Sequence, residues 1–237
     1  MANNDSIVLL PWDSDFFGLR IGRLNVSQST KSPSLKDFDL VYAFVEKGML
    51  LPSFNSDVCV TKMPHRVDLR KRVVSQLKFP ERVEIAGEFN DDIVRIALLS
   101  GWKSRFFLDE KLKGKAPVMY REWAKKYFNG QGRTFVIKEE GVAVGMINCL
   151  LKIGRLDIGL FAVAEEARGR GYGRNLLSAV EFFAHECRVD EISVSTQLEN
   201  IPAMSLYQAM GYKIFETQQV YHIWNKKEEK TNENPFQ

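Results

Sequence analysis

The chain has 237 residues, 45% of them hydrophobic and 27% charged, with 33 basic and 30 acidic side chains and a net charge of +3. These proportions suit a globular protein of one large domain or two small ones and exclude a disordered, collagen-like or fibrous chain. The near balance of charge points away from a dedicated nucleic-acid binder, and no apolar run approaches the roughly 20 residues of a membrane helix.

Met1–Asp5 shows no basic stretch leading into an apolar one, so export is not expected. Residues 7–10 read as a short buried strand, followed by a turn-rich aromatic loop, Pro11 to Gly18. Arg20–Val26 alternates as a second strand. Ser32 before Pro33 is a helix start, and Leu35, Phe38, Val41, Tyr42, Val45 and Met49 follow at helical spacing. Residues 56–62 and 66–74 read as two strands, and Lys78–Glu81 as a linker and domain boundary.

In the second unit, Asn90 caps a helix carrying Ile93, Ile96, Ala97 and Leu98, with Asp91 and Asp92 suited to its dipole. Pro117 opens another helix, closing at Gly130. Thr134–Ile137 and Val142–Leu150 form a hairpin about Glu139-Glu140-Gly141, and Arg155–Val163 is a further strand. Gly173–Cys187 is an amphipathic helix, Ile192–Thr196 a strand and Pro202–Met210 a short helix stopped by Gly211. Tyr212–Trp224 closes with a strand pair or one long strand, and residues 226–237 form a polar tail expected to be disordered. Cys59, Cys149 and Cys187 are distant and odd in number, which suits free thiols in a reducing cytosol. His65, His185 and His222 are scattered without metal-ligand spacing, so no metal is expected.

The richest chemistry lies at Arg168-Gly169-Arg170-Gly171-Tyr172-Gly173, between a strand and a helix. Glycines let main-chain N–H groups approach an anion, and the helix N-terminus adds aligned dipoles. Arg168, Arg170 and Arg174 add positive charge, so the loop suits a pyrophosphate. The Gly-x-Gly-x-Gly spacing is not that of a dinucleotide fold. This segment resembles the Gln/Arg-x-x-Gly-x-Gly/Ala signature of the GNAT superfamily of N-acetyltransferases. Leu198–Tyr212 resembles that family's Asn-x-x-Ala-x-x-Leu-Tyr-x-x-x-Gly-Phe/Tyr segment, with Asn200 and Tyr207 in place.

The resemblance covers about residues 82–225 and implies an α/β (α+β) fold, a mixed central sheet flanked by helices. It implies acetyl-CoA as co-substrate, its pyrophosphate on the backbone of 168–174, including Gly169, Gly171, Tyr172 and Gly173, and its pantetheine arm along Phe161, Ala162 and Val163. Strands at about 156–163 and 192–196 would diverge to admit it. Asn200 would contact the arm, and Tyr207 would be the general acid. A phenol, protonated at neutral pH, suits donation to a departing thiolate. Packing of Leu206, Tyr207 and Met210 on one helical face is the alternative. Asp157 is the central strand's acidic side chain; it is left unassigned, as solvent exposure would explain it equally.

The aromatic loop with Phe16 and Phe17, the triplet Ser104-Arg105-Phe106, and Ser195-Thr196-Gln197 together resemble the dTDP-fucosamine acetyltransferase family. That resemblance implies a nucleotide-linked 4-amino-4,6-dideoxyhexose as acceptor. Phe16, Phe17, Ser104, Arg105, Phe106 and Thr196 would serve the acceptor, or the aromatics would pack a core. Lys62, His65, Arg66, Arg70, Lys71 and Arg72 would attract a pyrophosphate or form a solvated strand face. The domains expected are a small α/β domain at 1–80 that helps shape the acceptor site, an acetyltransferase domain at 81–225, and a tail at 226–237. A cytoplasmic enzyme is expected, a homodimer on the family's pattern, with neither nucleic acid nor membrane as partner. The competing readings are acetylation of a peptide, ribosomal-protein or antibiotic amine, and a non-catalytic acyl-CoA-binding module.

Overall fold

The structure is a computed structural model that describes residues 7–27, 33–55, 57–74, 78–128 and 132–226. In chain order the elements are β1 (Val8–Leu9), α1 (Pro11–Phe17), β2 (Ile21–Val26), β3 (Leu40–Glu46), β4 (Val58–Arg72), β5 (Glu84–Ile85), α2 (Asp91–Gly101), α3 (Arg105–Leu108), α4 (Ala116–Lys126), β6 (Gly132–Glu139), β7 (Val142–Lys152), β8 (Arg155–Val163), a 3-10 turn (Glu165–Ala167), α5 (Tyr172–Glu186), β9 (Glu191–Gln197), α6 (Ile201–Ala209) and β10 (Lys213–Asn225). Among the described residues no helix is long and apolar enough to cross a membrane. Ser32, Gly130 and the tail from residue 227 lie outside the described residues.

The chain forms two compact units, residues 1–63 with 218–237, and residues 64–217. This division departs from the boundary drawn from sequence at residue 80. β4 runs unbroken through Met63 and Pro64, so the two strands expected at 56–62 and 66–74 are one. A proline removes one ladder donor, but its φ near −65° is compatible with extended chain. The first unit also recruits the end of β10, a partner that local periodicity does not reveal.

In the first unit β2 pairs antiparallel with β1 and parallel with β3, and β3 pairs antiparallel with Gln218–Trp224 of β10. Leu24, Val26, Val41, Ala43, Val45 and Ile223 form its core. The helix expected after Pro33 is instead β3. All of Leu40–Val45 is buried, between partners on both sides. A continuous apolar run satisfies a helical period as readily as a strand period, and β-branched and aromatic residues decide for the strand. The expected loop at 11–18 is the helix α1. Pro11 opens it, and Gly18 closes it at φ 69° with its N–H on the Ser14 carbonyl.

The second unit is a mixed sheet in the order β4-β9-β8-β7-β6-β5. The β8–β9 pair is parallel and the others antiparallel. Helix α5 packs on β6–β9, and α2 packs on β7 and β8 with α4 beside it. Asn90 caps α2, its Oδ1 accepting from the Ile93 N–H at 3.1 Å. The hairpin, β8, α5, β9 and α6 stand where the sequence patterns put them, within about two residues at their ends.

Two features of β8 shape the site. Its pairing with β9 runs from Arg155↔Glu191 to Ile158↔Val194 and then stops. Against β7, the register passes from Ile147↔Phe161 to Cys149↔Ile158, so Gly159 and Leu160 together oppose Asn148 in a β-bulge. The buried Asn148 accepts the Leu160 N–H at 2.7 Å through Oδ1, which fills the gap the bulge leaves in the ladder. Gly159 is required there: a Cβ would lie 1.9 Å from the Tyr127 hydroxyl.

Candidate active site

Beyond Ile158 the separating strands give way to a cleft of about 410 Å³ within the second unit. Phe161, Ala162 and Val163 of β8 line it, with the loop and first turn of α5 on one side and Asn200–Leu206 beside them. Gly169 at φ 78° and Gly171 at φ 80° turn the chain through the left-handed region, and α5 begins at the next residue. The first N–H groups of α5 have no partners within the helix, so the cleft meets a helix end suited to an anion. Gly173 keeps this turn close to its neighbours: a Cβ there would lie 2.9 Å from Leu206 Cδ2.

The cleft brings together Phe161, Ala162, Val163, Arg168, Gly169, Gly171, Tyr172, Gly173, Arg174 and Asn200. Arg168 donates to the Val163 carbonyl at 3.2 Å, and Arg174 Nη1 lies 3.4 Å from Met210 Sδ. Asn200 also caps α6, its Oδ1 accepting from the Ala203 N–H at 3.4 Å. Arg170 does not line the cleft. Its guanidinium binds Glu139 Oε1 at 2.7 Å and the Glu166 carbonyl at 3.1 Å.

Tyr207 is buried on α6. Its ring centroid is 6.2 Å from that of Phe161, a cleft residue, and 5.5 Å from that of Tyr212. Burial pushes its hydroxyl well above the usual phenol range, so the group stays protonated. It is not itself a wall of the cleft.

The candidate acceptor residues lie on separate elements. Phe16 and Phe17 lie on α1 in the first unit; Phe16 stacks on Trp12 at 5.2 Å and Phe17 is buried. Ser104 precedes α3 as its buried N-cap, and Phe106 is buried edge-on to Trp123 at 5.4 Å. Arg105 lays its guanidinium 4.0 Å from the Phe106 ring centre. Thr196 is not a cleft residue, whereas its neighbour Gln197 is.

The sequence reading missed the wall from the end of α2: Leu99, Ser100, Trp102 and Lys103. Trp102 is 61% exposed, and Lys103 Nζ stands 4.9 Å from its ring centre. A tryptophan just past the end of an amphipathic helix, followed at once by a lysine, was the available signal.

Most of the basic cluster is neutralised. His65 pairs with Glu199 at 2.7 Å, Arg66 with Asp68 at 3.0 Å, Arg70 with Glu191 at 3.4 Å and Lys71 with Glu181 at 2.7 Å. Asp157 sits between Lys152 at 2.5 Å and Arg155 at 2.9 Å. Ser195, just past the point where β8 and β9 separate, donates to Asp68 and accepts from Arg66 at 2.9 Å. Among the described residues no group of His, Cys, Asp and Glu is arranged to hold a metal ion.

The geometry provides a backbone cradle for phosphate, an extended edge able to pair with an amide-bearing chain, and a protonated phenol near that edge. Comparison with known proteins gives the same direction. Residues 97–212 match the model of the acetyltransferase (GNAT) family. The spore coat polysaccharide biosynthesis protein SpsD of Bacillus subtilis is 29% identical over 58% of this chain and 48% of its own length. Human N-acetyltransferase 8B is 31% identical over 42% of this chain and 47% of its own. The chain thus spans about half the length of the curated relatives it matches.

In fold, a conserved protein of unknown function from Staphylococcus epidermidis aligns over 95% of this chain and 93% of its own, with a TM-score of 0.62 and 13% identity. A GNAT-family acetyltransferase, described as putative, from Novosphingobium aromaticivorans aligns over 80% and 75%, with a TM-score of 0.56 and 12% identity. The cleft, the glycine loop and strands β6–β9 all lie within the matched residues, and this segment is an acetyltransferase domain of the GNAT family.

Proposed function

We propose that the protein is an acetyl-CoA-dependent N-acetyltransferase whose acceptor is the amine of a nucleotide-linked amino sugar, best represented by a dTDP-4-amino-4,6-dideoxyhexose. The observation that carries the first half is the cleft itself: the β8 edge opens where pairing with β9 ends, and leads to two left-handed glycines and the start of α5. The amino-sugar half is supported by the similarity to a protein named for spore coat polysaccharide biosynthesis, and by the segments at 11–18 and 104–106.

The chemistry follows from these groups. The pyrophosphate of the co-substrate rests on the N–H groups of 169–173, with Arg168 and Arg174 adding charge. The pantetheine arm pairs with the free edge of Phe161–Val163. A neutral acceptor amine attacks the thioester carbonyl; the C–N bond forms as the carbonyl π pair moves to oxygen. Collapse re-forms the carbonyl and expels the thiolate, while the nitrogen gives its proton to solvent. Tyr207, held protonated by burial, donates to the sulfur and then regains a proton from solvent, so the products are the amide and free thiol with the phenol restored. The reading carries with it a cytoplasmic site of action, where acetyl-CoA is available, and the homodimer that the family resemblance implies.

Thiol release from acetyl-CoA, measured against a panel of amines, tests the proposal. Turnover with dTDP-4-amino-4,6-dideoxyhexoses far above that with amino acids, peptides and aminoglycosides is the expected result. The name of N-acetyltransferase 8B specifies no sugar, and the second reading is a peptide, ribosomal-protein or antibiotic amine as acceptor. Turnover confined to those amines would replace the sugar with it.

A further inference from the structure

The glycine loop has two sides. One faces the cleft. The other faces a second cavity of about 870 Å³, lined in part by Arg82, Glu139, Arg170 and Tyr172. Tyr172 borders both spaces, and it is the first residue of α5. Its hydroxyl donates to Glu139 Oε1 at 2.5 Å, and Arg82 Nη1 donates to that hydroxyl at 3.3 Å. The same Glu139 oxygen accepts from Arg170 Nη1 at 2.7 Å, and Arg170 Nη2 holds the Glu166 carbonyl just before the loop.

One carboxylate therefore grips the loop at its middle and at its exit into α5. Glu139 is itself fixed, because it ends β6 in a two-residue hairpin turn. Glu140 at φ 52° and Gly141 at φ 84° give that turn the left-handed geometry that matches strand twist. The hydrogen bond from Tyr172, followed by that from Arg170, holds the Glu139 carboxyl below the usual carboxylate range, so it is charged at neutral pH.

We propose that Glu139 is a positioning residue for the co-substrate: through Tyr172 and Arg170 it braces the glycine loop from behind, so that the main-chain N–H groups are already aimed at the pyrophosphate. Arg170 belongs to the brace and not to the phosphate contacts. A loop with two left-handed glycines has many conformations open to it, and anchoring it beforehand lowers the ordering cost of binding. The charge-assisted bonds at Glu139 are of the stronger kind, so removing the charge has a measurable consequence. This inference rests on reading the cleft as the acetyl-CoA site.

The test is CoA affinity by titration calorimetry, with acetyl-CoA KM and kcat, for wild type, Glu139→Gln, Tyr172→Phe, Arg170→Met and the double variant Glu139→Gln/Arg170→Met. Glu139→Gln raises the CoA Kd roughly tenfold, the effect of losing a hydrogen bond to a charged group. KM rises in step, while kcat at saturating acetyl-CoA changes far less. Tyr172→Phe, which removes a single oxygen and tests the brace even if Glu139→Gln folds poorly, raises the Kd severalfold. Adding Arg170→Met to Glu139→Gln has no further effect. An unchanged Kd in Glu139→Gln and Tyr172→Phe overturns the brace, and a lower Kd in Glu139→Gln would show Glu139 competing with phosphate for Arg170. An Arg170→Met effect equal in both backgrounds also overturns it, placing Arg170 on the phosphate directly. Wild-type protein that binds no CoA overturns the cofactor reading together with the brace; wild type that binds, with indifferent variants, overturns the brace alone.

Discussion

Replacing Tyr207 by Phe separates catalysis from folding. The substitution removes one oxygen from a ring that keeps its neighbours Phe161 and Tyr212. No hydrogen bond to that hydroxyl is present among the described residues, so the loss in stability stays within about 1 kcal/mol. If the hydroxyl delivers the proton to the leaving sulfur, the rate falls by the usual worth of a general acid, a hundred- to ten-thousand-fold, or about 3–5 kcal/mol at the transition state. The two effects differ enough to be told apart. The assay is kcat by thiol release at saturating acetyl-CoA and acceptor, beside a denaturant titration and CoA binding. A kcat reduced at least a hundredfold, with CoA affinity within twofold of wild type, is the expected result. A kcat within threefold of wild type would refute the reasoning and leave Tyr207 as packing between Phe161 and Tyr212.

Three further outcomes follow from the second unit. Gly159→Ala would place a Cβ 1.9 Å from the Tyr127 hydroxyl and 2.9 Å from Asn148 Oδ1. It should cost about 1–3 kcal/mol in a denaturant titration, as overpacking does, and raise the acetyl-CoA KM by disturbing the bulge. Lys71→Met would strand the Glu181 carboxylate, only 5% exposed, without its 2.7 Å partner; a loss of about 3–5 kcal/mol is expected, with part recovered by adding Glu181→Gln. Burial raises the hydroxyls of Tyr120, Tyr207 and Tyr212 above their ordinary value of 10.0. Above that pH the unfolded chain releases phenolic protons that the folded chain retains, so stability is full below about pH 10 and falls as pH rises. Thermal melts across pH 8–11 check this, and Tyr207→Phe should lessen the alkaline loss.

What the sequence disclosed, and what it hid, divides by the range of the interactions involved. The strand at 155–163, its glycine turn and the helix after it follow from neighbouring residues. β-branched and apolar residues, left-handed glycines and a helical apolar stripe each act locally, and each agrees with the structure. The stretch 35–49 misled because a run of six apolar residues satisfies two periods at once. What made it a strand was pairing with Gln218–Trp224, far along the chain. Arg170 reads as a phosphate ligand beside Arg168 and Arg174. Its direction is set by Glu139, 31 residues earlier, through a hairpin that folds the two together. Trp102 and Lys103 escaped notice for a similar reason, since only the packing of α2 on β8 brings them to the cleft. Phe106, read as an acceptor aromatic, is held in the core by Trp123.

The most direct test of the central claim is mass analysis of a dTDP-4-amino-4,6-dideoxyhexose incubated with acetyl-CoA and the protein. The account predicts a gain of one acetyl group on the sugar nitrogen, matched mole for mole by free CoA and abolished or strongly slowed in Tyr207→Phe. Recovery of the unmodified nucleotide sugar, from protein shown by calorimetry to bind CoA, would contradict it.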